Sequence, residues 1–240
     1  MTISKDIRIS SVAQLSELIE SEFKNDQRTT LLYRGHGATS FSLRPKVGRL
    51  LPSPNSTKSI VNEKMMLELF RRQSADRLEV TAADDWELLA IAQHHGLATR
   101  LLDWTRSPLV ALYFSVSKEY ESRGEDGRPL YEDAEILVWR RPNADLSKSL
   151  PKNPFDITKT MSYIPRIVTS RLRAQSGVFT AHSEPSQVYV PNGLVRVRIP
   201  YEKRKELKAS LFRHGIHEAA LYPDMDGLAR HINWCQTKCY

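Results

Sequence analysis

The sequence predicts an α+β fold in a single domain. Strand-like and helix-like segments are mixed along the chain, without the regular alternation that a doubly wound fold requires. A chain of 240 residues is long enough to bury a sizeable core, and we see no internal repeat. We therefore assign residues 1–240 to one domain, with an N-terminal packing helix within 1–27 and the domain body over 28–235.

The first helix and the first strand follow from apolar spacing and residue type. Five apolar side chains share a helical face behind a serine cap. They are Val12, Leu15, Leu18, Ile19 and Phe23. The next segment, "RTTLLYRGHG", is rich in β-branched and aromatic residues, which predicts a strand that Gly35 and Gly37 stop. Arg34 then stands at a strand end beside a turn, where it can face a cleft.

Two helices precede the centre of the chain. Residues 41–59 contain three prolines and several serines, which is typical of a loop. Helical spacing then returns through four apolar residues. They are Ile60, Met65, Leu69 and Phe70. The next helix begins at an aspartate cap, Asp84 or Asp85, and ends at Gly96.

The central segment "LATRLLDWTRSPLVALYFS" predicts a short strand and a buried helix. "LATRLLDW" is the strand, and Ser107 followed by Pro108 is a favoured helix start. The helix is apolar on nearly every side through Phe114, which is typical of a helix buried in the middle of a protein. We expect the fold to be organised around it.

The second half of the chain predicts a similar mixture. Residues 121–133 are typical of an exposed loop, and "AEILVWRR" predicts a core strand. Residues 141–165 contain four prolines and little periodicity, so we expect a surface excursion that could serve as a lid. The strands "SGVFTAH" and "GLVRVRI" precede a helix over 201–214. A short strand, "EAALY", then leads to a last helix capped by Asp224 or Asp226.

Composition and charge narrow the class of protein. No apolar run approaches the roughly 18 residues of a membrane helix, and the N-terminus lacks a secretion signal. Cys235 and Cys239 lie near the C-terminus and cannot form a disulfide framework, which agrees with a reducing compartment. We expect a cytoplasmic protein without a membrane contact. The net charge of +7 favours anionic partners, although the densest basic run, "YEKRKELK", is more typical of a solvated helix face than of a nucleic-acid site.

Two adjacent histidines, His94 and His95, close the helix that ends at Gly96. A histidine in the last turn can satisfy free carbonyls and the negative end of the helix dipole. Neighbouring helical residues point about 100° apart, so both rings cannot face one ligand. We expect one histidine to cap the helix and the other to line a cleft.

The charged residues around the central strand have two interpretations. Arg100, Asp103 and Arg106 flank two apolar residues, and a buried Arg–Asp pair that locks the strand to the next helix explains them without a ligand. Alternatively, Arg34 and Arg100 form a fork for phosphates or a carboxylate, a task that suits the planar guanidinium. Residue spacing leaves both interpretations open.

Other polar residues favour structural roles when they are taken alone. An isolated glutamate such as Glu218 is more often a surface residue than a catalyst. His231, Cys235 and Cys239 stand four apart on one helical face, but a structural zinc site needs a fourth ligand, so we expect no metal. The chain has no phosphate loop, dinucleotide glycine pattern, nucleophile elbow or HExxH motif.

Several segments resemble the FRG domain family, which is named for a motif of an aromatic or apolar residue, Arg and Gly. The motif here is Tyr33, Arg34 and Gly35 within "LLYRGHG", and Tyr in place of Phe keeps the aromatic ring. "AQHHGLATRLLDWTRSPLVALYFS", "RLRAQSGVFTAH" and "GIHEAALYPDMDGLARHI" also look like that family, so the resemblance covers most of residues 30–235. The family is often bacterial and sometimes lies near phage-defence genes.

A weaker resemblance, to mono-ADP-ribosyltransferases, concerns the order of the elements. An Arg at the end of an early strand, a polar strand before a helix of the form "SPLVALYFS", and a late strand with a Glu are similar to that class. It implies a split mixed sheet packed with helices around a central cleft. In those enzymes the Arg holds the NAD phosphates, the middle strand braces the nicotinamide ribose and the Glu supports ribosyl transfer. This chain departs from their Ser-Thr-Ser motif and has "ATRLLDW" instead.

The resemblance implies a role for each candidate residue. A carboxylate would stabilise the positive charge that builds on the ribose carbon, and an arginine would hold the diphosphate without titrating near pH 7. The resemblance implies that Glu218 and His95 are catalytic. It also implies that NAD is bound by Arg34, Gly35, His94, Thr99, Arg100 and Asp103. The first hypothesis is an NAD- or nucleotide-binding domain that transfers or hydrolyses ADP-ribose, with a protein or nucleic-acid acceptor, as a toxin-like or phage-defence effector.

Two other hypotheses compete with this enzyme. The first is a non-catalytic nucleotide or nucleic-acid binding module that acts through a protein partner, for which Arg34 matters and Glu218 does not. The second treats the polar motif as a buried structural network, so that removing Arg100 or Asp103 costs several kcal/mol of stability.

Overall fold

One mixed sheet of seven strands carries the fold in the part of the chain that the structure describes. The structure is a computed structural model that describes residues 7–23, 28–50, 61–77, 82–118, 121–123, 129–143, 150–166 and 169–237. The strands are β1 (Ile7–Arg8), β2 (Thr29–His36), β3 (Leu101–Thr105), β4 (Glu121–Arg123), β5 (Pro129–Tyr131), β6 (Ala134–Pro142), β7 (Met161–Tyr163), β8 (Gly177–Ala181) and β9 (Leu194–Ile199). The helices are α1 (Val12–Glu22), α2 (Glu63–Gln73), α3 (Asp85–His94), α4 (Pro108–Val116), α5 (Ser170–Ala174), α6 (Arg204–Arg213), α7 (Glu218–Leu221) and α8 (Met225–Thr237). This mixture confirms the predicted α+β class.

The seven-stranded sheet consists of two parts, which we call the two ladders. The first contains β1, β9, β6 and β2, and the second contains β3, β8 and β7; a single residue pair joins them. Its order is β1-β9-β6-β2-β3-β8-β7, and β1 with β9 is the parallel pair while the other neighbours are antiparallel. β2 pairs with β6 along its whole length, and β3 pairs with β8 along its whole length. Between β2 and β3, the register contains the single pair Tyr33 and Thr105. The two strands therefore diverge on one side of that pair and leave a cleft.

Three apolar clusters hold the ladders in place. The first packs α1, α4 and α6 against the ladder that contains β2, and the second packs α3 against β3, β7 and β8. The third cluster lies on the face of the sheet opposite to the first two, because side chains alternate between the faces along a strand. In it, Trp104 of β3 and Trp139 of β6 have ring centres 5.4 Å apart. This third cluster spans both ladders.

Gly35 allows helix α4 to lie close against β2. A Cβ atom at this position would be 2.1 Å from the carbonyl oxygen of Ala111 and 2.6 Å from the backbone nitrogen of Ser115. Both atoms belong to the helix backbone, so they cannot move aside as a flexible side chain can. The glycine of the predicted motif is thus a packing requirement of the fold.

We expect Gly35→Ala to destabilise the protein by about 1–3 kcal/mol, because α4 must shift to admit the added methyl group. Gly96→Ala is the comparison, since within the described residues no atom beyond its chain neighbours lies within 4 Å of a Cβ there, and the cost comes from its positive φ of 89°. Urea unfolding of both variants measures the difference. Equal stabilities for Gly35→Ala and the wild type would show that α4 does not pack as closely as described.

A buried arginine joins three separate parts of the chain. Arg204, at the start of α6, is 2% exposed. Its guanidinium donates hydrogen bonds to the carbonyl oxygens of Gly37, Ser115, Lys118 and Glu132. The end of α4 and the segments after β2 and before β6 are thereby held together.

The structure corrects four local predictions in the described residues. β2 continues through Gly35 to His36. Part of the loop predicted for 121–133 pairs as β4 and β5. The segment "EAALY" begins the short helix α7, because the side chain of His217 accepts a hydrogen bond from the backbone nitrogen of Ala220 and caps it. A five-residue apolar segment does not distinguish a strand from a helix by periodicity.

The fourth correction concerns the predicted surface excursion at 141–165. Residues 144–149 lie outside the described part, but the following residues belong to the body of the fold. Ile157 and Tyr163 are buried in the second apolar cluster, and β7 forms the edge of the sheet. The prolines interrupt regular structure without placing the segment on the surface, and none of the described residues of 141–165 lines the main cavity described next.

Candidate functional site

A cavity of about 370 Å³ opens where β2 and β3 diverge. This volume is in the range of small-molecule sites. We call it the main cavity. Four cationic side chains line it, against one carboxylate, that of Asp103. The cations are Arg34, Arg49, Lys118 and Arg171. The described lining therefore favours a ligand with negative charge.

Arg34 occupies the point at which the sheet separates. If the β2–β3 ladder continued, the backbone of Gly35 would pair with that of Asp103; instead, Nη1 of Arg34 donates to the Asp103 carbonyl oxygen at 2.5 Å. The same nitrogen lies 3.7 Å from Oδ2 of Asp103. The Arg34 side chain is 18% exposed, and burial lowers the pKa of its guanidinium while the Asp103 carboxylate opposes that change. An anion in the cavity would compensate the partly desolvated charge.

A buried chain of polar groups fixes the orientation of Arg34. Its Nε donates to Nε2 of His36 at 3.3 Å, and Nδ1 of His36 lies 3.2 Å from Oε1 of Glu135. The same carboxylate oxygen accepts from Nη1 of Arg196 at 2.6 Å. Because Nε2 of His36 accepts, the ring proton is on Nδ1 and faces Glu135. Burial lowers the pKa of His36, which favours this neutral form.

Asp103 is the exposed counterpart of Arg34, with 62% of its side chain accessible. Nε2 of Gln93 donates to its Oδ2 at 3.1 Å, and Oε1 of Gln93 accepts from the hydroxyl of Thr99 at 2.6 Å. Gln93 therefore links α3 to β3 and lines the main cavity. Its amide also holds the carboxylate at the cleft.

The structure places the two histidines in different surroundings. His94 lines the main cavity, 3.5 Å from the hydroxyl of Thr169, and burial lowers the pKa of its ring. Arg171 donates to the carbonyl oxygen of His94 at 3.4 Å. His95 is the exposed residue that ends α3 and does not line the cavity. The ring that can reach a ligand is thus that of His94.

Thr99 and Arg100 face away from the main cavity. Thr99 is fully buried, where its hydroxyl donates to Gln93 and accepts from the backbone nitrogen of Leu101. Nε of Arg100 lies 2.8 Å from Oε2 of Glu63, and burial raises the pKa of that carboxyl while Arg100 opposes the increase. The buried ion pair predicted for Arg100 is therefore made with Glu63 on α2, not with Asp103, and Arg34 and Arg100 form no fork.

Glu218 lines a second cavity of about 260 Å³ that adjoins the first. Its carboxylate accepts from the hydroxyl of Tyr113 and from Nε of Arg230, the latter at 2.7 Å. Burial raises the pKa of Tyr113, and the hydrogen bond to Glu218 adds to the effect. Ser117, Lys118 and Tyr222 line both cavities. Arg34 and Glu218 thus belong to neighbouring cavities instead of facing each other across one.

Three cationic residues of the main cavity were not predicted from the sequence. Arg49 ends a short 3₁₀ turn, Lys118 follows α4, and Arg171 lies on α5, where its guanidinium is 4.4 Å from the ring centre of Tyr222. They come from segments far apart along the chain. No local pattern indicates that they converge.

The remaining sequence candidates lie apart from the main cavity. Sγ of Cys235 is 3.7 Å from Nε2 of His231, while Cys239 lies outside the described residues. Within the described ranges, no group of three or more His, Cys, Asp or Glu side chains could hold a metal ion. None of the helices in that part of the chain is both long enough and apolar enough to cross a membrane.

Comparison with known proteins identifies one family. Neither the curated proteins nor the solved structures contain a match to this chain. A family match covers residues 29–124 and ends there, so the similarity predicted for the later segments stays a prediction. The matched span includes β2, β3 and α4, which surround the cleft. Over residues 29–124, the chain therefore matches the FRG domain family.

Proposed function

We propose that the main cavity binds NAD through its phosphates and that the domain transfers or hydrolyses ADP-ribose. The observation that carries this proposal is the excess of cations in the described lining of a cavity of ligand size, with Arg34 fixed in its wall by hydrogen bonds. Guanidinium groups bind phosphates in a bidentate manner, and a buried charge binds an anion more strongly than an exposed one.

Aromatic side chains in the same cavity support a nucleotide rather than a simple anion. Phe41, Phe114 and Tyr222 line it together with the cations. Flat rings next to cationic groups suit a ligand that has both a base and a phosphate. The ring of Tyr222 is already in contact with the guanidinium of Arg171, so a base and a phosphate could be held side by side at this end.

The reaction requires a carboxylate near the ribose. When the bond between ribose and nicotinamide breaks, nicotinamide leaves with the electron pair and positive charge develops on the ribose carbon, which water or an acceptor then attacks. A nearby carboxylate stabilises that charge. Within the described lining, the main cavity offers Asp103, whereas Glu218 is engaged with Tyr113 and Arg230 in the adjoining cavity. We therefore assign the stabilising role to Asp103.

The test compares Asp103→Asn with Glu218→Gln, using nicotinamide release from NAD and calorimetric titration with NAD. We expect Asp103→Asn to lower the release rate about 100-fold, because charge stabilisation in the transition state is lost while the phosphate contacts remain. The release rate of Glu218→Gln should stay within about threefold of that of the wild type, since Glu218 does not line the main cavity. Loss of release in Glu218→Gln alone would instead support the role that the transferase resemblance implies.

A second candidate function is nucleotide binding without catalysis. It is favoured by the separation of Glu218 from Arg34 and by the use of Thr99 and Arg100 in buried structural contacts. In this case the wild type binds NAD or ADP-ribose but releases no nicotinamide, and Asp103→Asn changes affinity alone. The same two measurements therefore distinguish the candidates.

A further inference from the structure

The second cavity is lined by charged side chains and by a separate group of aromatic rings. It lies between α4, α6, α7 and α8 and is separated from the main cavity by Ser117, Lys118 and Tyr222. Its other lining residues are Tyr113, Lys208, Ile216, His217, Glu218, Arg230, His231 and Trp234. The cavity contains none of the residues that hold Arg34.

Among the described lining residues of the second cavity, the cations outnumber the single carboxylate. Glu218 has one oxygen bound to Arg230 and the other to the hydroxyl of Tyr113. Lys118 and Lys208 add two further positive charges, and Nζ of Lys208 donates to the carbonyl oxygen of Ser117 at 3.1 Å, which holds it at the wall between the cavities. The electrostatic balance favours an anionic group.

Three nearly parallel rings form a stack beside these cations. His217 and His231 stack with centres 4.2 Å apart at 19°, and His231 and Trp234 lie at 24° to each other. Nζ of Lys208 is 5.2 Å from the ring centre of Trp234. Nδ1 of His217 accepts from the backbone of Ala220, and burial lowers the pKa of His217, so its ring is held in the neutral form. A ring stack with an adjacent ammonium group suits a nucleobase, which extends the stack, and its phosphate.

We propose that the second cavity is a separate nucleotide-binding site, with the base at an end of the stack formed by His217, His231 and Trp234 and the phosphate near Lys208 and Lys118. Its occupant is either a free nucleotide or a nucleotide unit of a single-stranded nucleic acid. Because the cavities share a wall, this nucleotide lies next to the ligand of the main cavity and is placed to accept ADP-ribose. That acceptor role rests on the proposed function, whereas binding does not.

The test measures binding of a fluorescein-labelled ten-nucleotide single strand to the full chain by anisotropy, with AMP as competitor, and binding of AMP alone by calorimetric titration. We expect Trp234→Ala and Lys208→Gln to raise Kd about tenfold or more, and Trp234→Phe to retain most of the affinity because it keeps a ring. Ile232→Ala is the matched control, since Ile232 lies on the same helix, is 51% exposed and does not line the cavity. Thermal melting checks that each variant is folded.

The two probes, the single strand and AMP, distinguish a free nucleotide from a nucleotide unit of a nucleic acid. Displacement of the strand by AMP at a concentration similar to that of the strand supports a free nucleotide, and displacement only at a far higher concentration supports a nucleic acid. Absence of binding by both probes, or wild-type affinity in both Trp234→Ala and Lys208→Gln, overturns the proposal. Strand binding that Arg34→Ala leaves unchanged, in a protein that releases no nicotinamide, would retain the second site and reject the proposed reaction of the first.

Discussion

Replacing Arg204 by alanine is expected to lower the free energy of unfolding by about 3–5 kcal/mol. The guanidinium is buried and donates to four backbone carbonyl groups in three parts of the chain. Its removal leaves these acceptors without their donor and opens space beneath the end of α4. Urea unfolding followed by circular dichroism measures the loss. Because Gly37 and Lys118 line the main cavity, ligand affinity should fall as well.

Two further variants make the Arg204 result specific. Lys205→Ala changes the next residue of α6, which is exposed, and should alter stability by less than about 0.5 kcal/mol. Arg204→Lys keeps the charge but loses the planar fork, so its stability should lie between those of the wild type and Arg204→Ala. If Arg204→Ala unfolds at the same urea concentration as Lys205→Ala, the carbonyl contacts do not stabilise the fold.

Replacing Arg34 by alanine is expected to weaken binding of NAD and ADP-ribose about 100-fold or more, a loss of the size found when one partner of a buried charge pair is truncated. Arg34 is oriented by His36 and Asp103 before any ligand arrives, so little ordering is required on binding. Arg34→Lys should recover only part of the affinity, because an ammonium group cannot make paired hydrogen bonds to a phosphate. Isothermal titration measures both variants.

Arg106→Ala is the control for Arg34. Arg106 is an exposed arginine directly after β3 and does not line the main cavity, so its removal changes net charge without touching the site. Its affinity for NAD should match that of the wild type within about twofold. If Arg34→Ala and Arg106→Ala bind equally well and both are folded, the main cavity is not the nucleotide site.

Sequence patterns predicted the elements whose signals are local. Ser11, Asp84 and Ser107 each cap the helix that was expected after them, because a cap depends on residues three positions away. Helix α7 was missed because its cap is a histidine and its apolar segment is too short to show a period. Residues 150–165 were misjudged because their burial depends on partners distant in the chain.

In the candidate site too, the residues with local signals were predictable from the sequence, and the contacts between distant residues were not. Arg34 and Asp103 are polar residues next to apolar segments, which is a local signal, and the structure brings them into contact. The pairing of Arg100 with Glu63 was not predictable, because 37 residues separate them and either acidic partner satisfies the same charge. Lys118, which follows α4, and Arg171, which lies on α5, both line the cavity although they are far apart along the chain.

The single backbone pair between the two ladders makes the width of the cleft mechanically soft. Hydrogen bonds hold a narrow range of distances, whereas apolar contacts are non-directional and tolerate small displacements. Behind the Tyr33–Thr105 pair, the ladders are joined by the cluster that contains Trp104 and Trp139. A change of the angle between the two ladders about this line breaks no backbone pair within either ladder, but it strains the hydrogen bond from Arg34 to the Asp103 carbonyl oxygen. A ligand that contacts both Arg34, on the first ladder, and Arg171, on the helix before β8 of the second ladder, would couple its own affinity to the angle between the two ladders.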